Sequence, residues 1–432
     1  MSRARCRQAR ERALAERRNG GAIVAAILIL PLVLGITSWA SPATAGPVPT
    51  IYVANAGNPS TVTAIDSATN SVEKSIAIHG GIAVSVAVTP NGTRAYALVV
   101  GNDEVGSPGV LVPISTATNI TGKEISVGAN PYTFGFNPNG RYAYVVDGFD
   151  AATTAPNEPG AVTPVNLADE AAGRPIKVGT NPGSIAITPN GRTAYVTDSN
   201  AINGDPTTIT PINLATDTPE KAIHVAAQGI AITLNGVTAY AFDQDAVIPI
   251  ATATNLPGRA IALGGIAQVI ALAPDGQTAW VLTTPAPGLV AGSSKVDLTS
   301  INTATNQIGK VVPLTGMPTK GQFFVVITPN GAHIYVLGQG AGKTASTLVD
   351  LDASTGRAGR PIKVGTDDTA LAANPDDKFV YVLTPGSDYQ GPPIASQPKK
   401  APGSVIPVAT ATDTVGNPIK VGLLASALAV TP

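Results

Sequence analysis

Apolar and polar positions alternate in short bursts along most of the chain, and turn residues separate the bursts. One stretch shows the pattern in full. GSIAITP (Gly183–Pro189) alternates, RTAYVTD (Arg192–Asp198) is rich in aromatic and β-branched residues, and TTITPINLATD (Thr207–Asp217) and EKAIHVA (Glu220–Ala226) follow. Each reads as a β-strand, bounded by Gly, Pro, Asn or Asp. No segment beyond the first 45 residues combines helical spacing with helix caps. The pattern predicts an all-β fold.

The four-strand unit returns. The turn between its first two strands appears as VTPNGTRAYALV, FNPNGRYAYVVD, ITPNGRTAYVTD, ITLNGVTAYAFD, LAPDGQTAWVLT, ITPNGAHIYVLG and NPDDKFVYVLT. Its marker positions are Pro90, Pro138, Pro189, Leu234, Pro274, Pro329 and Pro375, with Pro432 in an eighth, shortened copy. The spacings are 48, 51, 45, 40, 55, 46 and 57 residues, which suits a propeller blade better than a leucine-rich or ankyrin unit. A third-strand element also occurs eight times, from TVTAIDSATN to SVIPVATATD, and PIKVG marks the fourth strand at Pro175, Pro361 and Pro418.

Four strands in eight units predict an eight-bladed β-propeller over residues 48–432, with seven blades as the alternative. The described repeat begins in a second strand, TIYVANAG, and ends after a first strand, ASALAVTP. Pairing of these two would complete one blade and close the ring, removing the free sheet edges of an open array. In Thr188–Pro189–Asn190–Gly191 the Pro presets φ for a type I turn and the Gly supplies a left-handed residue. Asp377 takes the Gly position in one copy. The ATN or ATD turn between third and fourth strands is expected to satisfy its own backbone through Asn or Asp.

Residues 1–45 read differently. A basic segment (residues 1–21, seven Arg against two Glu) precedes the apolar run Ala22–Ile36 and an ATA site ending at Ala45. That is the form of a secretory signal peptide, with an uncleaved N-terminal anchor as the alternative. Arg17–Arg18 is a twin-arginine pair in poor export context and reads as ordinary leader charge. The leader's net +5 leaves −6 for the remainder of a chain whose total is −1. A mildly acidic domain without a basic patch argues against nucleic-acid binding and against docking on anionic lipid. Cys6 is the only cysteine, so beyond the leader there is no disulfide, thiolate metal site or thiol nucleophile. We expect a secreted, extracytoplasmic monomer without membrane insertion of the propeller.

PIKVGTNPGSIAITPNGRTAYVTD (Pro175–Asp198) resembles the YVTN-type β-propeller repeat of secreted and surface-layer prokaryotic proteins. The resemblance covers about residues 48–432, with YVAN (Tyr52–Asn55), YVVD (Tyr144–Asp147) and YVTD (Tyr195–Asp198) as its clearest matches. It implies the fold and export. It does not imply a reaction, since related propellers include lactonases and haem-bearing reductases.

Candidate chemistry is sparse. Tyr52, Tyr96, Tyr144, Tyr195, Tyr240, Trp280, Tyr335 and Tyr381 fall at one repeat position, one per blade, which predicts packing rather than a binding platform. His79, His224 and His333 lie in separate blades and cannot converge on one metal. No G-x-S-x-G elbow is present, and GQGAGKTAS (Gly338–Ser346) has Leu337 where a phosphate loop needs Gly. The remaining set is Asn55, Asp147, Asp198 and Asp243, each ending a second strand on the face that also carries the fourth-to-first-strand loops. Oxygen ligands there could hold a polar ligand or a divalent cation, the one cofactor the pattern admits. Against this, each could cap its own loop, and Val99, Thr283, Gly338 and Thr384 interrupt the ring. The same face carries the longest connections, Gly148–Gly160 and Pro385–Gly403. The leading expectation is a non-catalytic propeller that binds a protein or small ligand through this face. The alternatives are a lactonase-like hydrolase with a metal held by Asp147, Asp198 or Asp243, and a structural cell-surface component.

Overall fold

In the computed structural model, eight antiparallel sheets of four strands follow one another as the blades of a β-propeller. The structure describes residues 48–101, 108–148, 159–198, 207–243, 246–285, 295–340, 344–388 and 400–432, and the leader lies outside them. No helix occurs among the described residues. Blade 1 combines Ala425–Val430 with Thr50–Asn55, Thr61–Asp66 and Ser71–Ala77. Blades 2 to 8 start from the innermost strands Ile82–Val88, Pro131–Phe136, Pro182–Ile187, Gly229–Ile232, Ile266–Leu272, Phe323–Ile327 and Ala370–Ala373. The eight-blade count and the closure by distant strands are both as the repeat predicts.

The core lies between blades, not within them. Eight apolar clusters fill the eight junctions. At the blade 4/5 junction, Tyr195 and Ile209 pack against Ile230, Ala239 and Ile250; at the closing junction, Ile51 and Val53 pack with Tyr381, Leu383 and Leu428. Second strands are buried on both faces because both face a neighbouring blade, which explains their near-continuous apolar runs.

The turns near the channel repeat one geometry. Thr188 N–H donates to Thr193 O at 2.9 Å, Thr193 N–H to Thr188 Oγ1 at 3.0 Å, and Gly191 takes φ 66°. Asp377 adopts φ 60° at the same place, within the tolerance of Asp. Neighbouring turns touch: Pro189 packs against Gly236, Pro274 against Gly331, and Pro432 against Gly92.

Two expectations need correction. The fourth strand of blade 4 does not span Glu220–Ala226; it is the pair Thr218–Pro219, with one further bridge from Ile223 to Ile209. At the break Pro211 in the third strand has no N–H to offer the outer strand, and its carbonyl takes Glu220 N–H at 2.7 Å. Outer strands are interrupted in the same way opposite Pro113, Pro164, Pro249 and Pro407, and in blade 7 opposite Asp350, whose carbonyl takes Gly359 N–H at 2.7 Å. The two continuous ones, Ser71–Ala77 and Ile308–Leu314, lie opposite third strands that carry Ala64 and Ser300 at this place. The second correction concerns the ATN turns. Local capping comes from the last residue of the third strand, two positions before them: Asp66 Oδ1 accepts Ala68 N–H at 2.7 Å, and Asn213 Oδ1 accepts Ala215 N–H at 3.0 Å. The closing Asn or Asp of the turn has positive φ and reaches elsewhere.

Candidate functional site

What those residues reach is the tyrosine of the preceding blade. Tyr52 OH donates to Asn119 Oδ1 at 2.6 Å, Tyr195 to Asn255 at 2.6 Å, Tyr240 to Asn306 at 2.7 Å, and Tyr335 to Asp413 at 3.0 Å. All these tyrosines are fully buried. Burial pushes the Tyr240 hydroxyl up to about 12, so it stays a donor. The aromatic position thus both packs and latches neighbouring blades on the tight-turn face. At the blade 6/7 junction both members change together: Trp280 stands for Tyr, and Gly356 (φ 73°) for Asn. At the blade 2/3 junction Glu170 takes the turn position and pairs instead with Arg94. The tyrosine repeat was visible in sequence, but its partner lies about 60 residues on and was read only as a local cap.

On the opposite face, three of the four candidate residues occupy equivalent buried seats. Asn55, Asp147 and Asp198 are 1%, 4% and 0% exposed. Each sits against a glycine that ends the preceding blade: Gly422, Gly128 and Gly179. A Cβ on Gly179 would lie 2.5 Å from Asp198 Cγ, so only Gly admits the carboxylate. Threonines of the blade's own third strand complete the seat. Thr163 donates to Asp147 Oδ2, Thr210 to Asp198 Oδ2 at 2.6 Å, and Asn55 Nδ2 donates to Thr63 Oγ1 at 3.0 Å. Gly128 and Gly179 add backbone hydrogen bonds to Asp147 and Asp198. Asp147 and Asp198 therefore each tie two blades together, in separate junctions, whereas the hydrogen bonds of Asn55 stay within blade 1.

Burial dominates their electrostatics. It pushes the Asp147 carboxyl up to about 7 and Asp198 up to about 6, against the opposing pull of the hydroxyl and amide donors. The second oxygen of each, and Asn55 Oδ1, is buried without a hydrogen-bond partner. Asp243 differs: it is half-buried at the end of its strand, paired in register with Ala246 across a two-residue connection. Among the described residues, no three His, Cys, Asp or Glu gather as a metal-holding group.

A fourth seat was missed. Where Thr384 ends the second strand of blade 8, the loop residue Asp368 turns in, accepting Thr384 Oγ1 at 2.6 Å and a hydrogen bond from Ser346. It is fully buried, lies beside Gly365, and burial pushes it up to about 6. The signal was the VG pair Val364–Gly365, which matches Val127–Gly128, Val178–Gly179 and Val421–Gly422.

His79 and His224 are exposed. His333 is not alone. Its Nδ1 lies 3.0 Å from Asp350 Oδ2, and its ring stacks on Tyr335 with centroids 6.2 Å apart. Asp350 occupies the third-strand place held by Pro in five blades, so no sequence neighbour marks the pair. Of the GQGAGKTAS stretch, residues 341–343 lie outside the described residues; Gly340 N–H donates to Ser346 Oγ at 3.2 Å. Most of the two long connections also lies outside, apart from a short ribbon pairing Ser387–Asp388 with Lys400–Ala401. Among the described residues, no helix is long and apolar enough to cross a membrane.

No protein-family model matches the chain. No curated protein matches it either. Solved structures do. Dihydro-haem d1 dehydrogenase NirN in complex with DHE is similar with a TM-score of 0.65 and 12% identity, over 90% of this chain and 76% of that one. Apo AztD from Citrobacter koseri gives 0.56 and 13% over 88% and 97% of the two chains. Kuenenia stuttgartiensis hydrazine synthase gives 0.53 and 17% over 78% and 95%. At these identities the likeness is one of fold. The class defined by fold and seats is an eight-bladed β-propeller whose repeated polar residues join its blades.

Proposed function

We propose that the protein is a secreted, non-catalytic propeller of the YVTN type that binds a protein or small-ligand partner on the face of its second-to-third-strand connections. One observation carries this reading. The repeated polar residues are engaged in joining blades, Tyr195 to Asn255 on one face and Asp198 to Thr210 and Gly179 near the other. What varies from blade to blade is the connection after each second strand, from two residues after Asp243 to the long Pro385–Gly403 segment. Variable loops on a rigid scaffold are where recognition is usually placed. The propeller acts outside the cytoplasm as a monomer, after removal of residues 1–45.

The test is site-specific photo-crosslinking in cells that export the protein. A photoreactive residue at Tyr389 or Thr153, on the long connections, is expected to give defined adducts; one at Arg192 or Lys378, on the tight-turn face, is expected to give none. Adducts from the tight-turn face alone would overturn the reading.

A second reading, a metal-dependent hydrolase, draws on the unpartnered oxygens of Asp147 and Asp198. Elemental analysis of purified protein separates the two: a stoichiometric divalent ion lost in Asp198→Asn favours the hydrolase. A structural role in the cell surface would instead show as quantitative retention in the envelope fraction.

A further inference from the structure

We infer that the innermost strand of blade 1, Ala425–Val430, is exchangeable between two copies of the chain, so that each completes the blade 1 of the other. The exchanged dimer forms at high concentration; at low concentration the chain is the monomer of the binding reading, which does not depend on exchange.

The strand follows the outer strand of blade 8 through a hinge unlike those at the other junctions. Connectors between blades take positive φ at Gly80, Asn130, Asn181, Gly264, Gly321 and Asp367, residue types that accept the left-handed region. At the closing junction that place is held by Leu424, with φ 51°, the only apolar residue of positive φ among the described residues. A Leu side chain crowds the following carbonyl in this conformation, so the closed hinge is strained. The strain is held by contacts on the acceptor side. Ala56 N–H donates to Leu424 O and Gly57 N–H to Leu423 O, both at 3.0 Å, and Gly57 has no room for a Cβ against Leu423.

Beyond the hinge the strand pairs along its length with the second strand of blade 1, and Ala425 and Leu428 also meet blade 8, where Ala425 N–H donates to Pro385 O at 2.8 Å. Ile51–Ala54 pair with Ala427–Val430, Asn55 with Ala425, Thr50 N–H donates to Thr431 Oγ1 at 2.8 Å, and Ser426 Oγ donates to Ala54 O and Ala83 O. A second copy presents an identical acceptor in identical register, and two opened copies hold one donor and one acceptor each. Exchange therefore closes with two-fold symmetry, keeps every strand contact and releases both Leu424 hinges.

The experiment uses the full chain carrying Cys6→Ser, Ile51→Cys and Val430→Cys, refolded at low and at high micromolar concentration and separated by size-exclusion chromatography with light scattering. Ile51 and Val430 are register partners. The inference predicts a dimer formed at high concentration whose oxidation gives a chain-to-chain disulfide on a denaturing gel, and a monomer whose bridge is internal. Leu424→Asn, a residue held at equivalent hinges, should lower the dimer association constant by about a hundredfold, about tenfold for each relieved hinge. Leu424→Gly with the native Ile51 and Val430 provides the same comparison by light scattering alone. A chain that stays monomeric at both concentrations, a dimer with only internal bridges, or a dimer fraction unmoved by both hinge variants would overturn it.

Discussion

Thr50 and Thr431 stand 381 residues apart, yet they form the same reciprocal contact that Thr193 and Thr188 make inside one hairpin. Thr431 N–H donates to Thr50 O at 3.0 Å, and Thr50 N–H to Thr431 Oγ1 at 2.8 Å. The two ends thus rebuild the strand-to-strand turn seen in the other blades, and Pro432 takes its place in the ring of turns against Gly92.

Removal of Ala425–Pro432 should therefore do more than shorten a terminus. It strips the inner strand from blade 1 and uncovers Ile51 and Val53, both fully buried. We expect a fall in Tm of roughly 10 °C or more and loss of a single cooperative transition, read by circular dichroism. An unchanged melting curve would remove the closure argument.

The tyrosine latch predicts a coupling between blades. Tyr195→Phe and Asn255→Ala should each cost about 1 kcal/mol, and the double variant little more than either, as read in denaturant titrations. Additive losses would mean that the hydroxyl contact contributes nothing beyond packing. At the blade 6/7 junction Gly356→Asn alone should destabilise slightly, since the backbone there sits at φ 73° and Trp280 has no phenolic hydroxyl for the new side chain to accept. Trp280→Tyr added to it should recover stability.

The buried carboxyls set an unusual pH dependence. Asp147, Asp198 and Asp368 hold their protons to about 7, 6 and 6 in the folded protein, above the ordinary carboxyl value. Between that value and pH 7 the folded state binds more protons than the unfolded one, so stability falls as pH rises through this window. Tm should be higher at pH 5 than at pH 8, with the gain complete only as pH nears the unfolded value. Asp198→Asn should flatten the profile and raise Tm by a few degrees at pH 8. Asn55 already shows that a neutral amide fits the equivalent seat. A Tm lower at pH 5 than at pH 8 in the unmodified protein would contradict this assignment.

Much of the fold was legible because the repeat is written twice in each unit, in the Pro-Asn-Gly turn and in the aromatic second strand. Leu234 and Asp377 replace turn residues without blurring it. The outer strands were less legible, because pairing breaks opposite Pro211 and its counterparts in a neighbour that itself reads as continuous. The site was legible only in position. Asp147 and Asp198 were placed on the right strand ends, but their burial depends on Gly128 and Gly179 from another blade. Asp368 was passed over because it sits in a loop and substitutes across the junction for a residue 16 positions away, Thr384. Such pairings follow from ring geometry and leave no local pattern.

The most direct test of the account replaces residues 149–158 and 389–399 by two-residue connections like the one between Asp243 and Ala246, and measures photo-crosslinking to the partner from a site kept on the same face, at Gly101 after the second strand of blade 2. The account predicts an unchanged melting temperature, since the blades are joined elsewhere, and loss of the adducts. Adducts of undiminished yield from the loop-replaced protein would contradict it.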